Sequence, residues 1–152
     1  MTLTVDTPDD LLPYVGQNLG TGPWLTIDQP MIDAFARVTL DHNWIHTDPA
    51  RAATDMPDGK TIAHGCLTLS LLAGLSAAIL EIRQRKTGIN YGYNNVRFLA
   101  PVQVGSRIRA HQDLEAYDSI PAGGRLTIKS TVEIENKPKP ALVAVQIVLA
   151  YV

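Results

Sequence analysis

The chain has a single cysteine, Cys66, so no internal disulfide is possible, and the expected role of that thiol is a small buried residue rather than a nucleophile. Lysine and arginine form no block and the net charge is −2, so neither a nucleic acid nor an anionic membrane is expected as a partner. The opening residues lack a basic stretch followed by an apolar core and do not read as a signal peptide. The apolar run after His64 is broken by Thr68, Ser70, Gly74 and Ser76 and meets a charge at Glu81. That pattern excludes a membrane span and predicts a buried core helix, in a cytoplasmic protein. No internal repeat and no dividing linker are present, so 1–152 reads as one domain.

What is present suits a globular fold. With 45% hydrophobic and 18% charged residues, disorder is excluded. A domain of 152 residues can bury roughly two thirds of its unfolded surface. Thr7-Pro8-Asp9-Asp10 places a cap, a proline and two acids at a helix start. Trp24 to Ile27 reads as a short extended piece. Asp28 caps a second helix, on which Met31, Ile32, Phe35, Ala36 and Val38 fall at apolar spacing and which stops near Thr39. Asp41 to His46 then reads as irregular chain, Pro49 to Ala53 as a short helix and Asp55 to Lys60 as an exposed turn.

From Gly65 to about Arg83 the residues predict one central helix, apolar nearly all round. Its small residues would let a sheet approach closely. Everything after Gly88 reads as strands: Ile89 to Leu99, Arg107 to Tyr117, Arg125 to Glu135 and Ala141 to Val152. In the third, Leu126, Ile128, Val132 and Ile134 alternate with Thr127, Lys129, Thr131 and Glu133. Regular turn signals predict an antiparallel meander curling around the helix, an α+β arrangement. An uncovered edge strand and helix would suit pairing of two copies in a homodimer.

Three motifs carry a resemblance. Asp41, Asn43, His46, Asp48 and Pro49 form Asp-x-Asn-x-x-His-x-Asp-Pro, which resembles the MaoC-like, (R)-specific enoyl-CoA hydratases of the hot-dog fold. Ile62-Ala63-His64-Gly65-Cys66-Leu67 is similar to that family's central-helix start, and the stretch from Asn95 to Gly105 to its third motif. The resemblance runs from about Gly22 to the C-terminus. Asn43-Trp44-Ile45-His46 departs from the common Asn-Pro-Leu-His form and is similar to a nodulation-protein-N-like branch. That leaves the acid and base in place and the acyl specificity unread.

Hydrating a 2-enoyl thioester adds water to C3 and a proton to C2, which needs an acid and a base on one face of the double bond. The resemblance implies that Asp41 positions and deprotonates the water and that His46 is the proton partner at C2. A helix-end turn residue and a satisfied loop histidine are the plainer readings of the two taken singly. The family also implies that the Gly65 N–H faces the thioester oxygen, at a helix end that offers free donors and a positive dipole. A packing or turn glycine is the other reading of Gly65. Asn43 would hold the loop, Ser70 would lie near the acid–base pair or simply pack in its helix, and Arg97 would meet a CoA phosphate or pair a carboxylate. His64 reads as structural, at the helix start, and His42 as a solvent-side residue. Asp41, His42, His46 and His64 make a poor zinc set, lying in a predicted loop without a cysteine partner. No metal and no cofactor are expected, the CoA thioester being the substrate. A hot-dog thioesterase would carry a carboxylate on or near the central helix, where this chain has none before Glu81. A non-catalytic acyl-binding subunit would be expected to lack Asp41 or His46.

Overall fold

The computed structural model of the chain describes residues 2–152. A short strand, β1 (Leu3–Val5), leads to a 3-10 turn over Pro8–Tyr14, where the Asp10 carboxylate accepts the backbone N–H of Thr7 at 2.7 Å. Two short strands follow, β2 (Asn18–Thr21) and β3 (Leu25–Thr26). Asp28 caps α1 (Gln29–Thr39) by accepting the Met31 N–H at 2.9 Å. Ile32 and Ala36 are its buried face, whereas Val38 is 79% exposed, contrary to its expected place in the apolar stripe.

A single helical turn, α2 (Trp44–Thr47), and a short helix, α3 (Pro49–Asp55), come next. The stretch expected to be irregular thus ends in a turn of helix. The cause is Asn43, whose side chain accepts the Ile45 N–H, freeing the chain to coil. The central helix, α4, covers Gly65–Ala77 and is shorter than its composition predicts. Its last residues are drawn into β4 (Leu80–Ile82), which pairs in parallel with β1, beginning with Leu3 donating its N–H to the Ile79 carbonyl at 2.8 Å. A distant strand outweighs local helix propensity here.

Four long strands complete the chain: β5 (Thr87–Phe98), β6 (Arg107–Ile120), β7 (Gly123–Ile134) and β8 (Leu142–Tyr151). The sheet order is β2-β6-β7-β8-β5, with β3 also paired to β6. Only β6, β7 and β8 form a meander. β5 pairs with β8, so the chain crosses the sheet between β5 and β6, and the expected simple meander is corrected on that point. Turn signals set strand ends but not which neighbour a strand chooses.

The alternation expected in β7 is observed, with Leu126, Ile128, Val132 and Ile134 buried. These side chains, with Ile108 and Leu114 of β6 and Leu142 of β8, meet Leu67, Leu72 and Leu75 of α4 in one core. An antiparallel sheet wrapped around one helix is the hot-dog arrangement. The helix is not covered all round: Cys66, Ser70, Ala73, Gly74 and Ala77 form an exposed stripe. Cys66 is therefore exposed rather than buried. Among the described residues, no helix is long and apolar enough to cross a membrane.

Candidate active site

The site is assembled where α1 ends. Leu40 takes a left-handed conformation, φ 62°, which turns the chain sharply and delivers Asp41 beside the start of α4. The Asp41 carboxylate accepts the Asn43 N–H at 3.3 Å and remains 55% exposed. Asn43 in turn starts α2 and so fixes His46 one turn on.

His46 is buried, and its ring is oriented by the Ile62 carbonyl, to which Nδ1–H donates at 2.6 Å. That bond leaves the Nε2 lone pair free. The segment carrying Ile62 is itself stitched down. Ile62 donates to the Ile45 carbonyl at 3.0 Å, Ala63 to Val102 at 2.7 Å, and Val104 to Thr61 at 2.9 Å. Gln29 closes the frame: its amide donates to the His46 carbonyl at 2.7 Å and accepts the Thr61 hydroxyl at 2.6 Å.

His64 lies against His46, the two rings stacked with centroids 3.8 Å apart. Its Nε2–H donates to the Asp41 carbonyl at 3.0 Å and lies 3.9 Å from the Asp41 carboxylate, while Phe35 covers another side of the ring. Buried and tied to the backbone of Asp41, His64 holds the acid and the imidazole together. Its Nδ1 is buried with no partner among the described residues. Burial is the main cause holding the His46 pKa below its ordinary value. The Ile62 carbonyl opposes the shift, proximity to His64 adds to it, and Asp41 opposes it.

Donor atoms of Asp41, His46 and His64 all lie within 4.8 Å of one another. Each ring has one nitrogen engaged with a backbone carbonyl, which leaves one nitrogen of each ring without such a bond.

A cavity of about 260 Å³ opens beside this group, lined by His46, Ile62, Gly65, Thr68 and Phe98. The Phe98 ring explains the glycine at 65, since a Cβ there would stand 3.0 Å from the ring. His64, at the N-cap position, offers no side-chain bond to α4, so the first N–H groups of the helix are not capped by it. Asp41, Asn43, His46 and Gly65 are thus brought together. Ser70 and Arg97 are not. Five residues beyond Gly65, Ser70 is rotated by about 140° around the helix, and its hydroxyl donates to the Cys66 carbonyl at 2.8 Å. Arg97 is exposed and turned to the opposite side of β5 from its neighbour Phe98, donating to the Val96 carbonyl at 2.8 Å.

Several participants escaped the sequence reading: Gln29, Thr61, Thr68, Phe98 and the close engagement of His64. Thr68 had one available signal, its place three residues after Gly65 on the same helical face.

The family model described as MaoC like domain matches residues 11–135. Over 146 residues the chain is 45% identical to 3-hydroxyacyl-thioester dehydratase Z of Mycobacterium tuberculosis, covering 95% of this chain and 96% of that one. It is 47% identical over 143 residues to Nodulation protein N of Rhizobium meliloti, covering 93% and 89%. The solved (R)-hydratase from A. caviae, involved in PHA biosynthesis, superposes with a TM-score of 0.70 at 27% identity, covering 88% of this chain and 94% of that one. These matches place the chain among the hydro-lyases. The chain belongs to the MaoC-like domain family.

Proposed function

We propose that the chain catalyses reversible, (R)-specific hydration of a trans-2-enoyl-CoA to the 3-hydroxyacyl-CoA, with Asp41 and His46 as the acid–base pair. The observation that carries the reading is the free Nε2 of buried His46, grouped with the Asp41 carboxylate and sharing a cavity with Gly65 at the start of α4. In hydration, the Asp41 carboxylate takes a proton from water as the oxygen bonds to C3. The C2–C3 π pair moves onto the thioester, and the His46 imidazolium returns a proton to C2. Dehydration reverses each transfer, so the pair holds one exchangeable proton, on His46 before hydration and on Asp41 after it. Burial disfavours the imidazolium and makes it a stronger acid toward C2. The uncapped first turn of α4, with the Gly65 N–H, would stabilise the charge growing on the thioester oxygen. No electrons are transferred, and the chemistry calls for no cofactor.

The relatives' names support the substrate class: one is a 3-hydroxyacyl-thioester dehydratase and another, of Aeromonas caviae, an (R)-specific enoyl-CoA hydratase. Two copies pairing through the β5 edge, where Ile89 and Tyr91 are exposed, would form a homodimer. A cytoplasmic location belongs to the same reading, as a CoA thioester is a water-soluble substrate.

The test is loss of enoyl-thioester absorbance with crotonyl-CoA, for wild type beside Asp41→Asn and His46→Gln, with chiral analysis of the product. Rapid formation of the (R)-alcohol, lost in both folded variants, is expected. Release of free thiol instead would assign the site to a thioesterase.

A further inference from the structure

A second cavity of about 260 Å³ lies between the C-terminal half of α4 and the inner face of the sheet. Its helical wall is Ala73, Ser76 and Ala77. Gly65 to Ala73 is eight residues along one helix, about 12 Å at the α-helical rise. The small, exposed residues Cys66, Ser70, Ala73, Gly74 and Ala77 lie along this same length of helix.

The opposite wall is chemically unusual. Inward positions of β6 and β8 are otherwise apolar: Ile108, Ala110 and Leu114 on one, Leu142, Ala144 and Ala150 on the other. Two glutamines interrupt them. Gln112 is fully buried and Gln146 is 3% exposed, and both line the cavity. The Gln112 amide nitrogen donates to the Ser76 hydroxyl at 2.7 Å and to the Ser130 hydroxyl at 3.0 Å, which fixes its orientation and leaves the oxygen as the unused atom. Both glutamine Oε1 atoms are buried with no partner among the described residues. Packing alone would be served better by leucine, since a buried unsatisfied carbonyl opposes folding. A few fixed polar groups in a mostly apolar pocket are the usual means of recognising a ligand's polar feature.

We infer that this cavity receives the far end of the acyl group, and that the acyl group carries a hydrogen-bond donor there, a hydroxyl, which donates to the amide oxygen of Gln146. The inference rests on the acyl-thioester reading above and narrows the substrate class to thioesters of medium length with an oxygenated tail. A plain alkyl tail would bury against the same wall without satisfying either oxygen.

The experiment compares kcat/KM for a ten-carbon trans-2-enoyl-CoA with and without a terminal hydroxyl. Wild type should favour the hydroxylated form by about tenfold, the worth of roughly one hydrogen bond. Gln146→Leu should abolish that ratio, with Gln146→Met as a second variant closer to glutamine in shape. A wild-type ratio of one or below overturns the inference, as does a variant that slows both substrates equally while keeping the ratio. If wild type turns over neither these thioesters nor crotonyl-CoA, the hydratase reading has failed instead. Calorimetry with the saturated acyl-CoA pair then decides the cavity by itself: about tenfold tighter binding of the hydroxylated form supports it, and equal or absent binding overturns it.

Discussion

The two ends of α4 hold buried polar groups in different ways. At its N-terminal end, the rings of His46 and His64 each donate to a backbone carbonyl, those of Ile62 and Asp41, and the groups come from chain segments that flank the helix start. At the C-terminal end, Gln112 is held by the side chains of Ser76 and Ser130, and the participants come from α4 and separate strands of the sheet. Backbone carbonyls are fixed by the fold, so the first arrangement is rigid and suited to moving a proton over a short distance. The second leaves amide oxygens unused on residues that line a cavity, which suits recognition of a ligand's polar group. On the functions proposed above, one helix would carry chemistry at one end and selectivity at the other.

The sharpest way to break the comparison is at the N-terminal end. Asp41→Asn and His46→Gln should each lower kcat by about 10²–10⁴-fold, with circular dichroism unchanged. Equivalent losses from substitutions among the C-terminal residues would dissolve the division of labour.

Gly65→Ala comes next. The new Cβ would stand 3.0 Å from the Phe98 ring, which must move into the cavity it lines. A loss of about 1–3 kcal/mol, the usual cost of overpacking, should appear in denaturant unfolding. Phe98→Leu in the same chain should recover most of it; an unchanged loss would mean that the backbone, not the ring, requires glycine.

Gln146→Leu sharpens the contrast through stability. Removing a buried amide oxygen that has no partner among the described residues should stabilise the chain by about 1 kcal/mol, read as a raised Tm, while the tail preference is lost. A lowered Tm would show that Gln146 is structural.

The smallest effect is electrostatic. Followed by NMR, the His46 imidazole should titrate below 6.5. His64→Gln removes a neighbour that lowers this value and should raise the midpoint, whereas Asp41→Asn removes one that raises it and should lower the midpoint. Because the folded pKa is depressed, the folded state binds fewer protons than the unfolded one between the two values. The contribution of His46 to stability is therefore present above about 6.5 and declines as pH falls through the folded midpoint.

Legibility followed the same division. The closeness of Asp41, Asn43 and His46 was readable because they sit within a few residues of one another, while the roles given to them came from the resemblance of the whole motif. The placing of Ser70 and Arg97 was not readable, because the side of a helix or strand on which a residue falls depends on what packs against it. Val38 shows the same limit: its spacing matched the buried face of α1, yet that end of the helix has nothing over it.

By itself the sequence determined the central helix, the long strands that follow it, and the closeness of Asp41, Asn43 and His46 in one loop, since each rests on periodicity, capping or spacing within a short window. Only the tertiary structure decided where α4 stops, that β5 lies beyond β8, that His64 stacks on His46, and that Gln112 and Gln146 share one cavity. These depend on contacts between residues far apart in the chain, which no local pattern encodes.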